Sequence, residues 1–295
     1  MIAKTTQGWL IRFAATVALL WAACWAAPRL VANVPQFPTR TTGEEQLVAL
    51  ERYFKLPPQP IVVVGSSLAY HLKDQFFFDG DVRNMAIPGD SPMTGLAIIA
   101  AAPIARPRAI AVETNILDRP LNQRLLDMFG SAELHRPPLP PLRTLAALYQ
   151  GARDDTLTYS KERIQSILAA PPAADRSARL VATIWDDWNR PLDRNVLREH
   201  AEQLKSLAER LEAQGVRLFF FEMPYPSRLN GSVFATTTRE VLADAIPPDD
   251  KHRLTLDYPV ADMRSEADGV HLDDRSSVIF AAALAQAIHA RLARD

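Results

Sequence analysis

A chain of 295 residues with a net charge of −1 and 23% charged residues carries no basic stripe of the kind a nucleic-acid binder needs. Its 48% hydrophobic content suffices for one large core, and 23 prolines against 11 glycines imply many rigid connections. The single cysteine, Cys24, excludes an intrachain disulfide, and no His/Cys cluster has the spacing of a structural metal site, so neither metal nor cofactor is expected.

Residues 1–30 read as a targeting segment. Lys4 and Arg12 precede an uncharged run of 15 residues, Phe13 to Ala27, which ends at Pro28-Arg29. That run suits a signal-peptide core. Counting from Trp9 with Arg12 snorkelling to the interface brings it to about the 20 residues of a full span. Pro28 after Ala27 makes a poor cleavage site. The expectation is an uncleaved inner-membrane anchor with the remainder periplasmic, the alternative being secretion after signal cleavage. Residues 31–57 form a tether with Pro35 and Pro38, then an entry helix with Leu47, Leu50 and Phe54 on one face.

The third segment, residues 58–295, carries the chemistry. Ile61-Val62-Val63-Val64 is a buried strand that stops at Gly65, and a helix starts near Ser67. The helical reading continues in part to Phe76-Phe77-Phe78. Asp81 to Ala86 is a second strand, Ile87 to Pro92 a turn, and Ser91 the cap of the next helix. Arg108 to Glu113 is a third strand, ending at Thr114-Asn115. This alternation means parallel βαβ units. From about 118 to 190 the rhythm stops and proline clusters, Pro137 to Pro141 and Pro171-Pro172, punctuate a helical cap. Trp185 and Trp188 at its end either stack on sugar rings or anchor the cap. The rhythm resumes with a helix over 193–214, Gly215 as its C-cap, a fourth strand over 216–221, a helix over 236–245, a weak fifth strand over 252–256, and a last helix over 274–293. The fold expected is three-layer α/β/α, flavodoxin-like, on a five-stranded parallel sheet.

Three features align with the Ser67 turn. Asn84-x-Ala86-x-x-Gly89 follows the second strand, where a glycine lets a backbone N–H approach a ligand. Asn115 directly follows the third strand, at the carboxyl edge where such sheets bind ligands. Asp268-Gly269-Val270-His271 precedes the last helix, where a carboxylate on one imidazole nitrogen leaves the other as base for Ser67. A second acid–histidine pair, Asp249-Asp250-Lys251-His252, lies before the last strand, at the opposite edge, and reads as solvated loop.

Together these residues resemble the SGNH/GDSL hydrolase family. Gly65-Ser66-Ser67-Leu68 resembles its GDSL block, with Ser66 in place of Asp. Asn84 to Gly89 resembles the second block. Glu113-Thr114-Asn115 resembles the GxND block, with Glu113 replacing Gly and Ile116 replacing Asp. Asp268 to His271 matches the closing DxxH block. The resemblance covers about residues 58–117 and 215–294. It implies a Ser67–His271–Asp268 triad and an oxyanion hole made by the N–H groups of Ser67 and Gly89 and the Asn115 side chain. The departures at Ser66, Glu113 and Ile116 are frequent in envelope members that handle polysaccharide acetyl groups. The function implied is an SGNH-type esterase or O-acetyltransferase acting on an envelope or extracellular polysaccharide, with an acylated carbohydrate, the inner membrane and a synthesis or acetylation complex as partners. Two rival readings are an α/β-hydrolase esterase, since Gly65 to Ala69 nearly fits a G-x-S-x-G elbow, and a catalytically silent carbohydrate-binding scaffold of an export complex.

Overall fold

The computed structural model describes residues 2–30, 41–131, 143, 146, 149, 159–174, 178–225, 227–248, 251–266 and 268–294. The proline cluster 137–141 and the pair Asp249-Asp250 lie outside the described residues. The chain divides into two compact units, residues 1–57 with 135–158 and residues 58–134 with 159–295, so the expected cap range is shared between them.

In the first unit, α1 (Ile2–Leu30) contains a 20-residue stretch, Gln7–Ala26, long and apolar enough to cross a membrane. Its Trp9, Leu19 and Trp21 side chains are exposed. Helix α2 (Thr42–Lys55) starts at Thr41, whose hydroxyl accepts from the Glu44 N–H. Acidic Glu44 and Glu45 stand in its first turn and basic Arg52 and Lys55 in its last, which complements the helix dipole. Arg143 clamps Glu44 with two hydrogen bonds of 2.9 and 3.0 Å.

The second unit is built on four parallel strands, β1 (Ile61–Val64), β2 (Val82–Asn84), β3 (Ala109–Glu113) and β4 (Arg217–Phe221), in the order β2-β1-β3-β4. Every residue of β1, β2 and β3 is buried, as in a sheet covered on both faces. Side-chain alternation splits the strands between two layers. Ile61, Val63, Ala109, Ala111, Phe219 and Phe221 pack with Phe280, Leu284 and Ile288 of α11 (Asp274–Leu292). The opposite face receives α4 (Pro92–Ala101) and α8 (Arg194–Glu212), which touch β1 and β4 respectively. Gly95 of α4 lets the helix lie against Val64, since a Cβ there would sit 3.2 Å from it. Ser91 and Asp193 cap these two helices, and Gly215 closes α8 with φ of +84°. Shorter helices α5 (Gln123–Phe129), α6 (Lys161–Ala169), α7 (Ala178–Trp188), α9 (Ser227–Asn230) and α10 (Val233–Ala245) complete the unit.

One expectation is corrected. Among the described residues the sheet has four strands, not five. Residues 252–256 reach β4 at one residue only, where Phe220 donates to His252 O and accepts from Leu254 N. The Arg253 carbonyl, which faces away from β4, accepts from the Arg291 guanidinium, and the His252 ring bonds Glu212, so side chains of the last helix and α8 hold this segment beside the single bridge. The segment after Ser67 is helical only in part, as the sequence implies. Helix α3 (Ser67–Tyr70) is one turn, followed by a 3₁₀ turn at Asp74–Phe76. Asn84 takes the carbonyls of Ala69 and Leu72, which a continuing helix would need for its own ladder.

Candidate active site

The Ser67 turn sits at the carboxyl ends of β1 and β3, where the chain direction across the sheet reverses and ligands bind in doubly wound sheets. Ser66 is extended and caps α3, its hydroxyl accepting from the Leu68 N–H. Ser67 is therefore the first helical residue, where helix geometry leaves the backbone N–H without an internal acceptor. Gly65 is needed for space. A Cβ on it would lie 2.7 Å from Glu113 Cβ and 2.8 Å from Ala69 Cβ.

Glu113, the last residue of β3, is what approaches Gly65 so closely. Its carboxylate accepts the Ser66 N–H at 2.7 Å and the Asn115 N–H at 2.7 Å, and it is fully buried. It thus joins the nucleophile turn to the end of the neighbouring strand. Burial pushes the Glu113 carboxyl up, against the opposing pull of the Ser66, Asn115 and Ile116 bonds.

The turn after β2 is tied to the same place. The Ile87 N–H donates to Gly65 O at 2.9 Å, and Asn84 Oδ1 accepts from the Ala86 N–H while its amide nitrogen holds Ala69 and Leu72. Gly89 has φ of +73°, a conformation that L side chains resist, and it is exposed. Behind it, buried Asp90 accepts from the Ser91 N–H, Thr94 Oγ1 and Asn122 Nδ2.

His271 arrives on a loop whose described residues are 264–266 and 268–273. Asp273 N–H donates to Arg264 O, Glu266 N–H to His271 O, and Ser265 pairs with Leu272. Gly269 turns the loop with φ of +75°. Within it, His271 Nδ1 lies 2.6 Å from Asp268 Oδ2, and His271 Nε2 lies 2.9 Å from Ser67 Oγ. The Asp268 carboxylate also accepts the N–H groups of Val270 and His271. Burial alone would raise its pKa, but the bonds and charge of His271 with those two N–H groups win, holding the carboxyl far below the usual range. An ionised Asp268 fixes the Nδ1–H tautomer and points a lone pair at the serine hydroxyl.

Ser67, His271 and Asp268 are thus brought into one hydrogen-bonded chain. Asn115 is nearby in the fold, and its amide has an engagement beyond the expected one. Its Nδ2 donates to Met223 O at 2.9 Å and its Oδ1 accepts from Met223 N at 2.7 Å, so the amide straps the end of β3 to that of β4. Trp188 packs against Tyr225 and Phe234, and the Arg228 guanidinium lies 4.9 Å over the Trp185 ring. Those contacts account for the Trp188 ring as packing. His252, expected to stand apart from the site, bonds Glu212.

Sequence reasoning did not single out His71 or the clamping role of Glu113. His71 stands four residues after Ser67, which was a legible signal for one helical face. Glu113 was visible as an acid at the end of an apolar strand and as the replacement for Gly in the GxND-like block, but nothing local pointed to its bonds with Ser66 and Asn115.

No family model, no curated protein and no solved structure matches this chain.

Proposed function

We propose that this chain is a membrane-tethered, serine-dependent acyl-ester hydrolase or acyltransferase of the SGNH type. The observation that carries the reading is the unbroken chain Ser67 Oγ to His271 Nε2 to Asp268, with steps of 2.9 and 2.6 Å. Those are hydrogen-bond lengths for a nucleophile, its base and the base's orienter.

In the proposed reaction Ser67 Oγ attacks the ester carbonyl as His271 Nε2 takes the hydroxyl proton. The imidazolium is held by the Asp268 carboxylate. The tetrahedral oxyanion is met by the backbone N–H groups of Ser67 and Gly89 and by the Asn115 Nδ2 hydrogen not spent on Met223. His271 returns the proton to the departing alkoxide, leaving an acyl-serine and a free alcohol. Water or a second hydroxyl then gives its proton to His271 and takes the acyl group, restoring Ser67. Water gives hydrolysis; a sugar hydroxyl gives transfer.

The substrate proposed is an O-acetylated envelope or extracellular polysaccharide. The near-neutral charge argues against a polyanionic nucleic acid. The apolar N-terminal helix supports a membrane anchor, and on this reading the α/β unit faces the periplasm. The direct test is hydrolysis of a small aryl acetate by the full-length chain in detergent. Turnover lost in Ser67→Ala and in His271→Ala supports the reading. An inert wild type that binds an acetylated glycan would favour the silent scaffold.

A further inference from the structure

Two hydrogen bonds hold the His271 ring, Asp268 at Nδ1 and Ser67 at Nε2. The ring turns about the Cβ–Cγ bond, and that terminal torsion is broad, so the side chain by itself does not fix it. A turn about Cβ–Cγ carries the Nε2 lone pair out of line with the hydroxyl. The Asp268 side chain is 46% exposed, so its own position is not locked by packing.

A second imidazole closes this gap. The ring of His71 stacks on that of His271, with centroids 4.6 Å apart and planes 21° from parallel. His71 ends α3, the turn that begins with Ser67, so its backbone is fixed relative to the nucleophile. On its other side, His71 Nδ1 lies 3.4 Å from Glu266 Oε1. The His71 bond is the leading influence on Glu266 and holds that carboxyl below its usual range. Glu266 belongs to the loop that carries the base, and its N–H donates to His271 O at 2.7 Å. The Tyr70 ring meets His71 edge-on at 6.3 Å. Nucleophile helix and base loop are therefore joined twice, once through the reacting pair and once through His71 and Glu266.

We propose that His71 is a positioning residue: anchored by Glu266, its ring lies against the face of His271 and sets the plane in which the base meets Ser67. This rests on the serine-hydrolase reading and deepens it. No proton passes through His71 in this role; what matters is a flat ring at stacking distance.

The test compares His71→Ala with His71→Phe in the full-length chain, reading aryl acetate turnover, the rate of labelling by a fluorophosphonate probe, and the melting temperature. Phenylalanine keeps the flat face and cannot pair with Glu266. His71→Ala is expected to lose about 10- to 100-fold in kcat and in labelling rate, the scale of a small misplacement of reacting groups, with KM changed by less than about threefold. His71→Phe is expected to recover to within about threefold of wild type. The proposal is overturned if His71→Ala stays within about twofold of wild type, or if His71→Phe is as slow as His71→Ala at an unchanged melting temperature. A wild type that is neither labelled nor active overturns the serine-hydrolase reading and this proposal with it, whereas the first two outcomes leave that reading standing.

Discussion

The hydroxyl of Ser67 lies 2.9 Å from Nε2 of His271 although 204 residues of chain separate them. The contact needs β1 to end at Gly65 and the loop before α11 to turn at Gly269, and both conditions are met at the same rim of the sheet. On the far side of the ring Asp268 accepts from Nδ1. In Asp268→Asn the new amide presents an N–H to the imidazole and selects the tautomer that cannot act as base. Turnover of an aryl acetate is expected to fall by about 10⁴. Circular dichroism unchanged alongside that loss would place the effect in the chemistry, and activity within about tenfold of wild type would contradict the proposed role.

Glu113 gives a pH dependence of stability. Burial raises its carboxyl pKa in the folded chain. A raised carboxyl is favourable to folding while protonated, so its contribution is full below the ordinary value of about 4.3 and is lost as pH rises through the folded value. The difference in unfolding free energy between wild type and Glu113→Gln is therefore expected to shrink steadily above about pH 4.3. Denaturant titrations at several pH values measure it. A difference that grows with pH would mean that the Ser66 and Asn115 N–H groups hold the anion more strongly than burial opposes it.

The space at Gly65 can be tested without touching a polar group. Gly65→Ala drives a Cβ to 2.7 Å from Glu113 and 2.8 Å from Ala69. Neither neighbour can swing away, because one contact is to the Glu113 Cβ and the other to a helix methyl. A loss of about 1–3 kcal/mol in stability is expected, with slower turnover from a displaced Ser67. Gly231→Ala is the matched control, since nothing lies within 4 Å of a Cβ there. Its stability change is expected to stay within about 0.5 kcal/mol.

The N-terminal helix predicts a location. A 20-residue apolar stretch in α1 retained in the mature chain keeps it in the membrane pellet after alkaline carbonate extraction. Release into the supernatant, with a mass lower by the length of that helix, would point to signal cleavage.

Much of this site was legible in residue order. The β-branched run Ile61 to Val64, the stop at Gly65 and the acid–histidine pair before the last helix each have a local cause, so strand, turn and loop could be read from neighbours in sequence. What could not be read was decided by contacts across the fold. Asn115 was legible as a donor at the strand end, but not that the backbone of Met223, 108 residues on, also bonds both ends of its amide and leaves one Nδ2 hydrogen over. Residues 252–256 have the apolar alternation of a strand, but they meet β4 at a single bridge, Phe220 with Arg253, and how far such a pairing runs is set by the partner strand and not by local pattern. The partial helix after Ser67 was legible, but not that Asn84, on the next strand, takes its carbonyls. Helical spacing could have flagged His71, but the stack on His271 needed the loop to be in place.

One of two adjacent serines, Ser67, is the proposed nucleophile. Ser66 caps the helix and its N–H is clamped by Glu113, while Ser67 faces the imidazole. Mass spectrometry of the full-length chain after reaction with a fluorophosphonate measures this directly. Phosphonylation is expected at Ser67, retained in Ser66→Ala and abolished in Ser67→Ala and His271→Ala. Modification at Ser66, or undiminished labelling of Ser67→Ala, would overturn the assignment of Ser67.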